Sequence, residues 1–319
     1  MSRQISSPLA GDIASFLAFK RARGNTYGSA EKTLRTLERF VVEGLQRCGA
    51  APRFAEFVPR WLARNDTRKA STVRRELCVV RQFCLYRRRR DPKAFVPSRD
   101  LAVRGLRPFL PHVLSVADVR RLVRRTAHLR ASSTFRKRMY RTLILVLYCT
   151  GMRVGEARRL RLRDVDLRRG VLFVTTSKGR SRWLPVHASL TRELRIYMKA
   201  RCALAPGGPD ATVFVRDDGT ALTVGGNTFR RLFRAVGLKP PRGRLGARPY
   251  DLRHTFAVVR LTRWYRAGVD LHERLPWLSA YMGHDNILGT EVYLRATPEL
   301  LRVASRRLRR RLQSARRPA

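Results

Sequence analysis

Acidic residues are scarce in this chain. Asp and Glu number 23 against 69 Lys and Arg in 319 residues, a formal net charge of +46. Such an excess repels itself unless a polyanion offsets it, and nucleic acid is the partner that this composition favours. An anionic membrane surface competes for that role, but no strongly amphipathic lysine-rich anchor stands out. Cysteine is sparse too. Cys48, Cys78, Cys84, Cys149 and Cys202 form no CxxC pair and no His/Cys cluster with zinc spacing. That argues against a disulfide framework or a zinc site, and reduced, mostly buried thiols are expected. Long apolar runs are missing. The longest, LILVLYC at 143–149, is far short of the roughly 20 residues that span a bilayer. The opening MSRQISSPLAGDI has no apolar signal core. With 44% hydrophobic residues the chain still has the means to fold. The expectation is a cytoplasmic, nucleoid-associated protein with no membrane partner.

What is there divides in two. Segments 9–22, 28–46, 53–64 and 69–88 carry apolar residues at helical spacing, as in Leu34, Leu37, Phe40, Val41 and Leu45, and predict four helices. Ser29 reads as a cap ahead of the second. Residues 89–111 are basic, hold Pro92, Pro97, Pro108 and Pro111, and lack sustained periodicity, so they read as an extended linker. Beyond it, SVADVRRLVRR predicts a helix with Ser115 as N-cap and Asp118 in its first turn. A core helix follows, and another begins after Gly151. VLFVTTSKGRSRWLPV is β-branched and aromatic on both sides of a Lys-Gly-Arg centre, and predicts a hairpin turning near Lys178 and Gly179. Helices are expected to resume after Gly207-Gly208-Pro209. The fold class is mainly α with a small antiparallel sheet: a helical domain over 1–108, and a mostly helical domain over 112–319 ending in a C-terminal helix or tail.

The chemistry centres on Tyr293, nine residues after His284 in YMGHDNILGTEVYLRAT, with Arg153 and Arg253 upstream. Breaking a phosphodiester by transesterification needs a nucleophile, cations for the charge building on the non-bridging oxygens, an acid for the leaving oxygen and a base for the nucleophile. Arginine suits the second task because its planar fork grips two phosphate oxygens. Lysine suits the third, because burial and nearby cations lower its pKa. Protein cations can stand where other enzymes use a metal, and neither metal nor ATP is expected.

TGMRVGEARRL, SKGRSRWLPV, PYDLRHTFAV, MGHDN and TEVY, in that order, resemble the catalytic signature of the tyrosine recombinases, the phage-integrase class. LPHVLSVADVRRLV resembles the start of that catalytic domain, and residues 1–108 are similar to its helical core-binding domain, which clamps DNA. The resemblance thus covers nearly the whole chain. LRHTFAVVRLTRWYRAG and YLRATPELL look like integrase-type transposases of mobile elements.

The resemblance implies roles. Tyr293 is the nucleophile, and Arg153 and Arg253 clamp the phosphate. Lys178 is the general acid to the 5′-hydroxyl. His284 hydrogen-bonds a non-bridging oxygen. Arg180 and Arg182 contact the DNA backbone or minor groove. Glu156, one turn after Arg153, orients it by a charged hydrogen bond or is an exposed helical acid. His254 is a packing or supporting residue. One position departs from the family pattern: where His-x-x-Arg is usual, the chain has Tyr250-Asp251-Leu252-Arg253. Tyr250 can donate to phosphate but is a poor base near neutral pH. The proton of Tyr293 then goes to His254 or to the phosphate itself. The implied activity is site-specific cleavage and rejoining of double-stranded DNA through a 3′-phosphotyrosine, with no cofactor. Four protomers on two duplexes are implied, linked by the C-terminal helix, with companion recombinases of the same element as further partners. The rivals are a type IB topoisomerase-like enzyme, a catalytically silent DNA-binding protein and a basic RNA-binding protein.

Overall fold

The computed structural model describes residues 7–24, 27–48, 54–65, 67–101, 112–129, 133–175, 181–223, 227–243 and 246–294, together with 302, 303, 305 and 309. The chain separates into two units, Met1–Phe109 and Leu110–Ala319.

The first unit is four helices: α1 (Ala10–Ala22), α2 (Gly28–Cys48), α3 (Phe54–Ala63) and α4 (Ala70–Arg87). Their apolar stripes meet in two clusters, one around Ile13, Phe16, Leu34 and Phe83, the other around Leu37, Trp61 and Val80. Burial of these large side chains, at roughly 1.5–3 kcal/mol each, stabilises helices too short to persist alone. Ser29 is not a cap. It lies inside α2, and its carbonyl accepts from Thr33 Oγ1. The segment expected to be an extended linker begins packed instead. Phe95 and Val96 sit against the second cluster, and Arg81 Nη1 donates to the Pro97 carbonyl.

The second unit is built on α6 (Thr134–Thr150), which packs on α5 (Val116–Thr126), α8 (Ala188–Leu204) and α10 (Asp251–Arg266). Ser115 and Asp118 form a reciprocal capping box at the start of α5. After α7 (Val154–Arg159) comes a three-stranded antiparallel sheet of β1 (Val165–Asp166), β2 (Val171–Val174) and β3 (Arg182–Pro185), in that order. Leu172 pairs with Leu184 and Val174 with Arg182, so Val174 and Arg182 close the ladder where the connection leaves it. Helices α9 (Asn227–Ala235), α11 (Leu271–Met282) and α12 (Leu288–Glu291) complete the described set of twelve. Helices do not resume directly after Pro209. Residues 210–223 are irregular, bridged at Arg161–Thr212 and Val215–Ala221, with Val213, Phe214 and Val215 fully buried. The thiols also differ from expectation. Cys84 is buried, but Cys78, Cys149 and Cys202 are exposed because they lie on outward helix faces. The four described C-terminal residues are helical, with Val303 buried. Leu301, Leu308 and Leu312 of the same tail lie outside the described residues. No helix of the described residues is long and apolar enough to cross a membrane.

Candidate active site

Helix α11 ends at Gly283, whose φ of 66° is the left-handed conformation glycine tolerates. The last carbonyls of a helix lack intrahelical partners and carry the negative end of its dipole. Here three arginines take three successive ones. Arg182 Nε donates to the Tyr281 carbonyl at 2.7 Å, Arg253 Nη2 to Met282 at 2.9 Å and Arg153 Nη2 to Gly283 at 3.0 Å. The three come from different elements: Arg182 from β3, Arg253 from α10 and Arg153 from the N-cap of α7. A Cβ on Gly283 would collide with the Arg182 guanidinium, so glycine is required there for space as well as for φ.

One carboxylate stands among these cations. Glu156 is buried and accepts from the Arg153 N–H at 2.8 Å, from Arg153 Nη1 at 2.7 Å and from Arg182 Nη2 at 2.9 Å. Burial pushes its carboxyl up, but the hydrogen bonds and charges of Arg182 and Arg153 outweigh that and hold it below its ordinary range. Glu156 is therefore not an exposed helical acid. Three guanidiniums face one carboxylate, so the described site is net positive.

Arg253 is the most buried of the three, 1% exposed. Its Nη1 donates to the Gly151 carbonyl at 2.7 Å, and its Nη2 also meets His284 Nε2 at 2.8 Å. Gly151, with φ 63°, ends α6, and a Cβ there would run into Phe256. Among the described residues Arg253 Nε has no hydrogen-bond partner. That donor is itself buried, so it stands unsatisfied in this arrangement.

The His284 tautomer follows from its neighbours. Arginine cannot accept, so His284 Nε2 must. The neutral ring then carries its hydrogen on Nδ1 and donates it to Thr290 Oγ1 at 2.7 Å. Burial and the charges of Arg253, Arg153 and Arg182 lower the His284 pKa to about 4, which keeps the ring neutral. Thr290 is fully buried, and its carbonyl receives the Tyr293 N–H at 3.0 Å. A single residue thus links His284 to the segment bearing Tyr293.

Tyr293 is 2% exposed, packed with Phe256, Leu278 and Met282. Its ring stacks near His284 at 6.2 Å and tilts against His254 at 5.3 Å. Burial raises its pKa above 10, and Arg253 pulls the other way by charge and hydrogen bonding. His254 lies between two tyrosines, with Tyr250 edge-on at 4.7 Å. Its pKa falls to about 4, chiefly through burial. Tyr250 is 42% exposed at the N-cap of α10.

The fold therefore brings Arg153, Glu156, Tyr250, Arg253, His254, His284 and Tyr293 together. Lys178 and Arg180 lie outside the described residues. Arg182 is the exception to expectation. It is not turned out toward DNA but is 9% exposed, bound to Glu156 and the end of α11. The reason is strand alternation. Arg182 shares the inward face of β3 with Leu184, while Trp183 points out. That alternation, read against the buried Leu172 and Val174 of β2, was the available signal. Thr290 had no signal beyond its place in the helical spacing before Tyr293.

Comparison with known proteins gives a consistent result. The model of the phage integrase family matches residues 113–299. The provisionally named integrase/recombinase y4rB of Sinorhizobium fredii is 36% identical over 265 residues, covering 80% of this chain and 84% of that protein. The tyrosine recombinase XerC of Herpetosiphon aurantiacus is 28% identical over 290 residues, covering 88% and 89%. Among solved structures, the Tn1549 transposon integrase in complex with circular intermediate DNA aligns with a TM-score of 0.66 at 21% identity, over 93% of this chain and 99% of that one. A lambda integrase tetramer bound to a Holliday junction aligns with a TM-score of 0.58 at 14% identity, over 91% and 78%. At these identities the structural likeness is one of fold.

Proposed function

The chain belongs to the phage integrase family and is a tyrosine site-specific recombinase, and we propose that Tyr293 is its nucleophile, served by Arg153, Arg253, His284 and Lys178. Tyr293 Oη attacks a scissile phosphate and forms a 3′-phosphotyrosyl bond. The P–O5′ bond breaks, and the 5′ oxygen leaves as a hydroxyl with a proton from Lys178. A 5′-hydroxyl from a second strand reverses the step. Because one phosphodiester replaces another, no ATP is consumed. Arg153 and Arg253 neutralise the charge on the non-bridging oxygens. Glu156 orients Arg153.

The observation that carries this reading is the convergence of three guanidiniums on one helix end beside a buried tyrosine. Nothing in a packed core needs such a concentration of like charge, whereas a pentacovalent phosphorane does. The site also bears on which group takes the Tyr293 proton. A histidine that titrates at about 4 is a poor acceptor for a phenol held above 10. The acceptor is therefore the phosphate or the solvent it brings, with Arg253 favouring the phenolate. Tyr250 serves as a hydrogen-bond donor to phosphate.

The substrate is double-stranded DNA, and residues 1–108 act as its second clamp. The lambda integrase neighbour is a tetramer on a Holliday junction, and the same assembly, with the C-terminal helix linking protomers, is proposed here. Companion recombinases of the same mobile element are further candidate partners.

The test uses nicked duplexes carrying the DNA that flanks the protein's own coding region. Wild type is expected to give a covalent protein–DNA band that survives denaturation, and Tyr293→Phe none. A band that persists with Tyr293→Phe would overturn the assignment.

A further inference from the structure

We infer that Thr290 is a positioning residue of the active site: its hydroxyl holds His284 as the Nδ1–H tautomer and so keeps Nε2 turned, as an acceptor, toward Arg253. The inference rests on the place of His284 in the proposed site.

A threonine in a helix commonly gives its hydroxyl to the carbonyl four residues back. Thr150 and Thr255, both buried, do so at 2.6 and 2.7 Å. Thr290 does not. It lies within α12 and is fully buried, yet its Oγ1 meets His284 Nδ1, six residues earlier, at 2.7 Å. The Asn286 carbonyl, four residues back, is taken by Ser279 Oγ and by the Gly289 N–H, each at 3.3 Å. A buried hydroxyl turned away from its own helix is committed to the partner it meets.

The imidazole is held from three other directions. Arg253 Nη2 faces its Nε2 at 2.8 Å. The Tyr293 ring stacks at 6.2 Å, 22° from parallel. Gly289 leaves the ring its room, since a Cβ there would come within 3.2 Å of His284 Cγ and 3.5 Å of Nδ1. With the ring so confined, its function turns on which nitrogen carries the hydrogen. A hydrogen on Nε2 would point at an Arg253 donor. Thr290 Oγ1 stabilises the other tautomer by accepting the hydrogen of Nδ1. Nε2 then presents a lone pair, and the Arg253 fork is what it aims. The backbone of the same residue serves the nucleophile, because the Thr290 carbonyl accepts the Tyr293 N–H at 3.0 Å. Replacing the side chain leaves that bond in place, so the two duties of Thr290 are separable. Loss of the group that orients a working histidine costs about 10–10²-fold.

On the full chain, long-range proton–nitrogen correlation spectra of the DNA-free protein near neutral pH report which nitrogen of each histidine is protonated. His284→Gln identifies the His284 signal among the six histidines by its loss. A protonated Nδ1 and a bare Nε2 are expected in wild type and in Thr290→Ser, and that pattern should disappear in Thr290→Val. A bare Nδ1 in wild type overturns the inference. Single-turnover cleavage of nicked duplexes is the second readout. Thr290→Val should slow it by about 10–10²-fold, and Thr290→Ser, which keeps the hydroxyl, should retain most of the rate. In a His284→Gln background Thr290→Val should cost nothing further, because its effect passes through the ring. Equal losses in both backgrounds would mark a merely structural threonine and overturn the inference, as would a wild-type rate for Thr290→Val. Failure of the underlying reading looks different: His284→Gln itself then cleaves at the wild-type rate, and the inference falls with it. Thermal melts accompany each variant, and if Thr290→Val does not fold, the wild-type spectrum still decides.

Discussion

The first unit and the surroundings of Tyr293 are both rich in arginine, yet one face of the first unit holds its cations differently. Arg64 and Arg68 turn inward to Glu76 and to the Trp61 and Leu62 carbonyls, but another group of cations lies against aromatic faces near the surface. Arg89 and Arg23 sit over Phe19 at 5.1 and 5.6 Å, and Lys20 lies over Phe16 and Tyr27 at 5.5 Å each. Partial burial and the nearby Arg23 and Arg89 hold the Lys20 pKa below its ordinary value. These groups crowd one another and remain exposed to partners. Around Tyr293 the guanidiniums turn inward and bind carbonyls and Glu156. The first arrangement supplies a field, which draws a polyanion at long range. The second supplies fixed directions, which matter only to a group within hydrogen-bond reach. Substitutions should therefore separate the two: inward arginines should change rate and stability, outward ones affinity.

The sharpest separation is Arg253→Ala. It removes a phosphate donor and strips partners from the Gly151 and Met282 carbonyls. Single-turnover cleavage should fall by about 10³-fold or more, since losing one fixed donor alone costs about 10²–10³. Urea unfolding should show a loss of about 2–4 kcal/mol from the orphaned carbonyls. A variant with wild-type stability would show that these bonds contribute no net energy.

Glu156→Ala comes next. It leaves Arg153 and Arg182 without their carboxylate and should cost about 3–5 kcal/mol of stability, as breaking buried pairs does. Glu31, which pairs with Arg21 in the first unit and is partly exposed, should cost under about 1 kcal/mol when replaced by alanine. The acid limb gives an independent readout. The Glu156 carboxyl titrates below its ordinary 4.5 in the folded chain. Its contribution is thus fully present above pH 4.5 and is lost as pH falls through the lower folded value. Glu156→Gln should flatten the stability profile in that range. An unchanged acid limb would contradict the assigned pairing.

Much of this was legible in the sequence, for reasons that separate local from distant physics. The helices of the first unit follow from local periodicity, and Ser115 with Asp118 is a cap defined within a single helical turn. The spacing of His284 and Tyr293 is also local, and α12 turns the segment so that both rings reach Arg253. What escaped depends on partners far along the chain. Ser29 has the composition of a cap, but α2 begins at Gly28 before it. Val213, Phe214 and Val215 are buried in an irregular segment bridged at Arg161–Thr212 and Val215–Ala221, which no helical or strand periodicity announces. Arg182 reads as a DNA contact because the resemblance sets it beside Lys178 in a basic hairpin. Its true direction needed the strand register and the position of Glu156, which lies 26 residues earlier.

Tyr250→His tests the departure from the family pattern at smaller amplitude. Tyr250 is exposed and touches His254 edge-on, so the exchange should leave the melting temperature nearly unchanged. If Tyr250 only donates to phosphate, cleavage should change by less than about 10-fold, within the range of one hydrogen bond. A histidine there would add a titration near pH ~6.5 that tyrosine cannot supply. A pH–rate profile that gains this limb together with a faster rate would show that proton acceptance, not donation, limits the natural enzyme.

The smallest effect belongs to the outward arginines. Arg89→Ala removes one cation from the face of Phe19 and should shift stability by no more than about 0.5–1 kcal/mol, the value of an exposed cation–π pair. It should also leave the cleavage rate at saturating protein unchanged. If the first unit clamps DNA, the consequence appears in salt dependence: a cation that no longer neutralises its phosphate lowers the slope of log K against log salt by about one. The weakening should be similar on specific and unrelated duplexes, because binding to phosphate carries no sequence information. A slope that does not move would place Arg89 off the DNA. A cleavage rate that falls at saturation would break the comparison itself, since an outward arginine would then be setting geometry and not field.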